Sequence, residues 1–241
     1  MPRDTILILD FGSQYTQLIA RRLRELQVYS EILPPGTSAA ALAARQPKGI
    51  VLSGGPDSVY EKGAPRCERG VLELGVPVLG VCYGMQLMTH LLGGELKRSQ
   101  RREYGPAQLR PGPGLLLEGL PPSTRVWMSH GDSIERPPPG FAVVASSGGN
   151  AVAAIESRER RLYGLLFHPE VVHTEEGSKV LSRFLDLCGC RRDWNAASFA
   201  REAVEKVRSE VGEKGRVICA LSGGVDSAVA ALLVHRAIGD R

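Results

Sequence analysis

The apolar positions fall into short runs, separated by stretches in which apolar residues recur at helical spacing. Thr5–Leu9 (TILIL) is an apolar run of strand length, closed by Asp10-Phe11-Gly12. Ser13 then stands where a cap belongs, before a helix to about Leu26 with Leu18, Ile19, Arg22 and Leu26 on one face. Val28–Leu33 predicts a second strand. Pro34-Pro35-Gly36 turns the chain, and Thr37 or Ser38 caps an alanine-rich helix to about Arg45. Gly49–Leu52 predicts a third strand, Ala64–Leu74 a helix, Pro77–Val81 a fourth strand and Tyr83–Leu92 a further helix. Strands that are apolar on both sides and alternate with helices predict a parallel sheet covered on both faces.

The character changes between Tyr104 and Phe167. Strand-like runs at Ala107–Arg110, Arg125–Met128, Phe141–Ser146, Val152–Glu156 and Leu162–Phe167 are punctuated by Pro and Gly, and are expected as antiparallel additions. A helix over Glu175–Leu187 closes this unit, and Gly189–Asn195 reads as a linker. Beyond it come a helix with Phe199, Ala203, Val207 and Val211 on one face, a strand Val217–Leu221, a loop Ser222–Asp226 and a helix to about Ile238. The expected fold class is α/β, a mostly parallel central sheet with flanking helices and antiparallel additions, followed by an incomplete second α/β domain.

Composition narrows the function classes. In 241 residues, 43% are hydrophobic and 23% charged, which suits a chain with a sizeable buried core and excludes bulk disorder. The runs Gly75–Cys82 and Val217–Leu221 fall far short of the roughly 20 apolar residues a membrane span needs. The opening Met1-Pro2-Arg3-Asp4 carries no signal-peptide pattern, so a cytoplasmic location is expected. The net charge of +4 is mild. Short basic clusters at Arg98–Arg102 and Arg158–Arg161, with only 5% aromatic residues, read as solvated surface rather than a nucleic-acid stripe. Five cysteines at irregular spacing, with no CxxC, argue against a disulfide framework or a structural zinc site. Cys188 and Cys190 read as incidental thiols at a helix end.

Cys82 differs from the others. Gly80-Val81-Cys82-Tyr83-Gly84 follows a buried strand and opens a helix, the GxSxG elbow pattern with Cys for Ser. Such a turn exposes the sulfur, and the helix N-terminus stabilises a thiolate. In Phe167-His168-Pro169-Glu170, extended geometry projects His168 and Glu170 together, so the carboxylate orients the imidazole as in a Cys-His-carboxylate triad. His130 and His173 are rival bases, while His90 and His235 read as packing or surface residues. Backbone N–H groups of Gly54, Gly55 and Tyr83 are candidate donors for an oxyanion. A second motif, Ser222-Gly223-Gly224-Val225-Asp226-Ser227-Ala228, also opens a helix after an apolar run. Its glycines can turn N–H groups toward a phosphate, and it lacks the GK[ST] of a Walker A loop.

Together SGGP (53–56), GVCYGMQ (80–86), MSHGD (128–132) and FHPEV (167–171) resemble the class I glutamine amidotransferases over roughly the first 190 residues. The resemblance implies that Cys82 attacks the glutamine side-chain amide, that His168 held by Glu170 shuttles the proton, and that Gly55, Gln86, Ser129, His130, Gly131 and Asp132 shape the glutamine pocket. SGGVDS resembles the pyrophosphate loop of ATP pyrophosphatases. By that likeness Ser222 and Ser227 donate hydroxyls, and Asp226 orients the loop, approaches Mg2+ or caps the helix. The combination, with Ile8–Tyr15 and Leu232–Gly239, resembles the glutamine-hydrolysing GMP synthase family. That likeness implies glutamine, XMP and ATP with Mg2+ as substrates, no tightly bound cofactor or metal, no nucleic-acid polymer or membrane partner, and a homodimer for the complete enzyme. The expected organisation is an amidotransferase domain over 1–190, a linker over 191–197 and the start of a synthetase domain over 198–241, the chain being an N-terminal fragment. The alternatives are the glutaminase component of an anthranilate or aminodeoxychorismate synthase, a free-standing glutaminase, or a non-catalytic nucleotide-sensing module.

Overall fold

The computed structural model describes residues 3–241, apart from the side chains of residues 98–102; the basic cluster at Arg98–Arg102 and the opening Met1-Pro2 lie outside the described residues. The chain divides into two compact units, Met1–Arg192 and Asp193–Arg241. Each is described by itself.

The first unit is built on one nine-stranded sheet. Its strands are β1 (Thr5–Leu9), β2 (Tyr29–Leu33), β3 (Gly49–Leu52), β4 (Val78–Val81), β5 (Glu95–Pro111), β6 (Thr124–Arg136), β7 (Ala142–Ser147), β8 (Ala154–Ser157) and β9 (Leu162–Leu165). The spatial order is β2-β1-β3-β4-β9-β8-β7-β5-β6. The first five in that order pair in parallel, and the last five pair antiparallel, so β9 belongs to both halves. The helices are α1 (Thr16–Glu25), α2 (Ala39–Ala43), α3 (Tyr83–Leu91) and α4 (Gly177–Leu187).

Side chains alternate across the pleat, so each apolar strand feeds two cores. Ile6, Ile8, Val51, Leu79 and Val81 pack with Ile19 and Leu23 of α1 and with Leu181 and Phe184 of α4. Leu7, Leu9, Ile50, Leu52 and Val78 face the other way, against Leu42 of α2 and Met85 and Met88 of α3. Every residue of β3 and β4 is buried, which is why these strands read as continuous apolar runs rather than alternating ones.

Several sequence expectations are corrected. The buried face of α1 is Thr16, Ile19, Ala20 and Leu23, with Leu26 packed partly buried against the same core, while Leu18 and Arg22 are not among the buried residues. Ser13 does not cap it; its Oγ accepts from Tyr15 N at 3.1 Å in a tight turn, and Tyr15 takes the cap position. The helix expected over 64–74 contracts to one 3₁₀ turn, Arg69–Glu73. Pro65 is committed elsewhere, its carbonyl accepting from the buried Tyr83 hydroxyl at 2.6 Å. The runs at 107–110 and 125–128 are pieces of the long ribbon β5–β6, whose arms extend through polar sequence.

The second unit holds α5 (Ala196–Val211) and α6 (Val225–Ile238), joined by the Arg208 guanidinium donating to Ala237 O at 3.0 Å. Asn195 caps α5, accepting from Ser198 N at 2.8 Å. The strand expected at 217–221 does not form. A strand needs a ladder partner, and the described residues of this unit offer none, so Ile218 stands 99% exposed and Leu221 66%. No described helix is long and apolar enough to cross a membrane.

Candidate active site

β4 delivers Cys82 at the cap position of α3 with φ 50° and ψ −106°, a strained conformation for a non-glycine residue. The flanking glycines permit it. A Cβ on Gly80 would lie 2.7 Å from the Gly84 backbone, and one on Gly84 would lie 2.2 Å from Leu52 O. The turn is tied to its neighbours by Cys82 N donating to Leu165 O at 2.7 Å and Gly84 N donating to Ser53 O at 3.0 Å. The Cys82 thiol donates to Ser129 O at 3.3 Å.

His168 comes from the chain just past β9. Its N–H donates to Trp127 O at 3.0 Å, an isolated bridge joins Phe167 to Met128, and Thr174 Oγ1 donates to His168 O at 2.6 Å while accepting from Trp127 N at 3.1 Å. The ring is thereby fixed from both sides of its backbone. His168 Nδ1 lies 2.7 Å from Glu170 Oε1, and the two side chains are 4% and 0% exposed. Burial alone pushes the His168 pKa down. The Glu170 carboxylate and the hydrogen bond with Cys82 outweigh it and hold the imidazole well above its ordinary value. A carboxylate-braced imidazole in hydrogen-bonding reach of a thiol can take the thiol proton and return it to a leaving group.

These groups open into a cavity of about 760 Å³, within the size range of small-molecule sites. Cys82, His168, Gly55, Gln86, Ser129, His130, Gly131 and Asp132 line it, all singled out from sequence. Gln86 Nε2 donates to Asp132 O at 2.9 Å, which joins α3 to β6. Gly54, Tyr83 and Glu170 support the wall from behind. A Cβ on Gly54 would lie 2.9 Å from His168 Cε1, so this glycine is required by close approach. Ser53 holds the same turn, its Oγ accepting from Phe11 N at 2.9 Å and donating to Gly54 O at 2.8 Å.

The rival bases separate on position. His173 is exposed and stacks on Trp127, with ring centroids 4.5 Å apart. His130 lines the cavity, but burial pushes its pKa down to about 4 and no carboxylate braces it as Glu170 braces His168. His90 sits against Tyr60, and His235 is exposed near Asp240. Sequence reasoning gave no site role to several wall residues, among them Tyr15, Asp57, Ser58, Glu61 and Tyr104. Tyr15 meets the His168 ring edge-on at 5.2 Å, Ser58 donates to Asp132 Oδ2, and Tyr104 projects from β5. Ser58 follows SGGP closely enough to have been suspected; Tyr104 left no signal.

The glutamine amidotransferase class-I profile matches residues 7–188. The chain belongs to the class-I glutamine amidotransferases. It is 52% identical over 237 residues to "GMP synthase [glutamine-hydrolyzing]" of Corynebacterium glutamicum strain R, covering 98% of this chain and 45% of that protein. It is 55% identical over 241 residues to the protein of the same name from Mycolicibacterium paratuberculosis, covering 100% of this chain and 46% of that one. This amidotransferase thus spans a little under half the length of the curated relatives it matches. A crystal structure from Thermoplasma acidophilum, of a protein described provisionally as one subunit of GMP synthase, aligns with TM-score 0.69 and 29% identity over 78% of this chain and 96% of that one. A glutamine amido transferase from Methylobacillus flagellatus, at 17% identity and TM-score 0.57, shares the fold of this amidotransferase over 80% of this chain and 97% of that one.

At Ser222–Ala228, Gly223 adopts φ +80° and the loop enters α6. Ser222 Oγ donates to Ser227 Oγ at 3.1 Å, and Ser227 Oγ donates to Gly224 O at 2.9 Å. Gly224, Val225 and Asp226 are exposed, with Asp226 in the first turn of the helix.

Proposed function

We propose that the first unit hydrolyses glutamine to glutamate and ammonia, with Cys82 as nucleophile, His168 as general base and acid, and Glu170 as its brace. The Cys82 sulfur attacks the side-chain amide carbon, and its proton passes through His168 to the amide nitrogen. The C–N bond breaks, ammonia leaves and a γ-glutamyl thioester remains. Water, deprotonated by His168, then displaces the sulfur. Backbone N–H groups of Gly55 and of Tyr83, the residue after the nucleophile, serve as donors to the developing oxyanion, and Gln86, Ser129, His130, Gly131 and Asp132 hold the amino-acid part. The single observation that carries this reading is the buried His168–Glu170 pair set against a strained Cys82 at the cavity wall.

The ammonia is destined for XMP, adenylated at its 2-oxygen by ATP, to give GMP, AMP and pyrophosphate in the complete enzyme. The likeness to GMP synthases and the loop at 222–228 support this. The hydroxyls of Ser222 and Ser227, with the N–H groups around Gly223 and Gly224, suit a pyrophosphate at the N-terminus of α6. Titrating Cys82 with a glutamine-mimicking electrophile, alongside ammonia release from glutamine, tests the first part. Alkylation at Cys67 or Cys219 instead of Cys82, or undiminished hydrolysis by Cys82→Ala, would overturn it. AMP formation with XMP and ATP by a full-length relative carrying the equivalent loop, lost on replacing both loop serines, tests the second.

A further inference from the structure

His130 is the cavity residue whose environment the triad chemistry leaves unexplained. Its side chain is 1% exposed, and among the described residues neither ring nitrogen has a well-formed hydrogen-bond partner, the Asp132 backbone being the polar group close by on its own strand. Burial pushes its pKa down to about 4, so it is an uncharged imidazole at neutral pH, able to donate from one nitrogen and accept at the other. Two nitrogens buried without partners are costly unless something occupies the cavity.

Facing Nε2 is the Glu103 carboxylate on the adjacent strand, directly opposite in the β5–β6 register, with Oε2 3.5 Å from His130 Nε2. That distance is just too long for a hydrogen bond and short enough to close by a small rotation. Glu103 is itself held from outside the ribbon. Asn150 Nδ2 donates to the same Oε2, and the Gly149 backbone packs against the carboxylate, where a Cβ would lie 2.9 Å from Oε1. The charged groups near His130 are Glu103 on β5, Asp132 on its own strand and His168 across the cavity. Only the first aligns a carboxylate with Nε2.

We propose that Glu103, clamped by Asn150, is a positioning residue for substrate binding: when glutamine enters, Glu103 accepts the Nε2 proton of His130 in a hydrogen bond, fixing the tautomer in which Nδ1 accepts a hydrogen bond from the substrate. The inference rests on the cavity being the glutamine site. It extends the site to the loop between β7 and β8, whose Gly149 and Asn150 are not among the residues lining the cavity.

The test is a double-mutant cycle on the 241-residue chain with Glu103→Ala, Glu103→Gln and His130→Gln. Each variant is assayed for glutamine KM and kcat, and for Cys82 alkylation by iodoacetamide and by a glutamine-mimicking electrophile. Glu103→Ala is expected to raise KM about tenfold with kcat within about twofold. It should slow labelling by the glutamine mimic by a similar factor while leaving iodoacetamide labelling unchanged. Glu103→Gln, which keeps an acceptor oxygen, should recover most of the loss. In the His130→Gln background, Glu103→Ala should add nothing. Additive losses, equal slowing of both electrophiles, or an unchanged KM would each overturn the proposal. If the unmodified chain neither hydrolyses glutamine nor labels with its mimic, the glutaminase reading fails instead, and iodoacetamide labelling shows whether Cys82 is still reactive.

Discussion

Replacing Gly84 by Ala places one methyl group where β3 and α3 meet. Its carbon would stand 2.2 Å from Leu52 O and 2.7 Å from Leu52 Cβ. The neighbours are strand backbone, not the tip of a flexible side chain, so relief requires α3 to retreat from β3 by roughly 1 Å. Overpacking of this kind costs ~1–3 kcal/mol, and collision with backbone puts Gly84→Ala at the upper end. The gain in helix propensity from Gly to Ala returns ~1 kcal/mol. The net loss is about 2 kcal/mol, or about 4–8 °C in Tm for a domain of this size. The same retreat stretches the Gly84 N to Ser53 O bond and moves Cys82 relative to His168, and a misplacement of about 1 Å can cost ~100-fold in rate. Thermal unfolding and ammonia release together measure both effects. Gly36→Ala is the control, since nothing lies within 4 Å of a Cβ there. If Gly84→Ala melts and turns over like the control, the steric account of the elbow is wrong.

Cys82→Ala is expected to abolish ammonia release, and His168→Ala to lower it by ~10³-fold or more, with the double variant no worse than the first, as for groups acting as one unit. His130 is neutral in the folded state down to about pH 4 but titrates near its ordinary value of 6.5 when unfolded. The unfolded state therefore binds more protons between those values. Stability falls as pH drops through that window, by up to ~3 kcal/mol, and His130→Gln should flatten the slope in denaturant titrations. The raised His168 works oppositely. Its contribution is full below pH 6.5 and is lost as pH rises through its folded value. Thr174→Val leaves His168 O and Trp127 N without their shared hydroxyl; it should cost ~1–3 kcal/mol and lower kcat more than it raises KM.

The central parallel strands β1, β3 and β4 were legible because they are buried on both faces and carry continuous apolar runs. The elbow was legible because only small residues fit beside Cys82, and His168 with Glu170 because extended backbone sends alternate side chains the same way. The ribbon β5–β6 was half hidden. Its arms run through Arg, Gly and Ser, held by mutual pairing rather than by an apolar pattern. Leu18 and Arg22 looked like the inner face of α1, but the helix starts at Thr16 and is rotated to bury Ala20 and Leu23. Val217–Leu221 has a strand's composition, and composition does not supply a ladder partner. The opposition of Glu103 to His130 depends on register across an irregular ribbon, which no local pattern encodes.

Nucleophile and imidazole stand at the ends of neighbouring strands of one ladder. Val81 is paired with Leu165, Cys82 N donates to Leu165 O at 2.7 Å, and His168 follows three residues later. The spacing from Leu165 to His168 is therefore a count, not merely a distance. One residue inserted there would turn the imidazole to the opposite side of the backbone and aim a neighbour at the sulfur. Substitutions in this interval can be gradual in effect, but length changes cannot. Among homologues of any divergence, insertions and deletions should crowd into the loops at the antiparallel end and leave the 165–168 interval untouched.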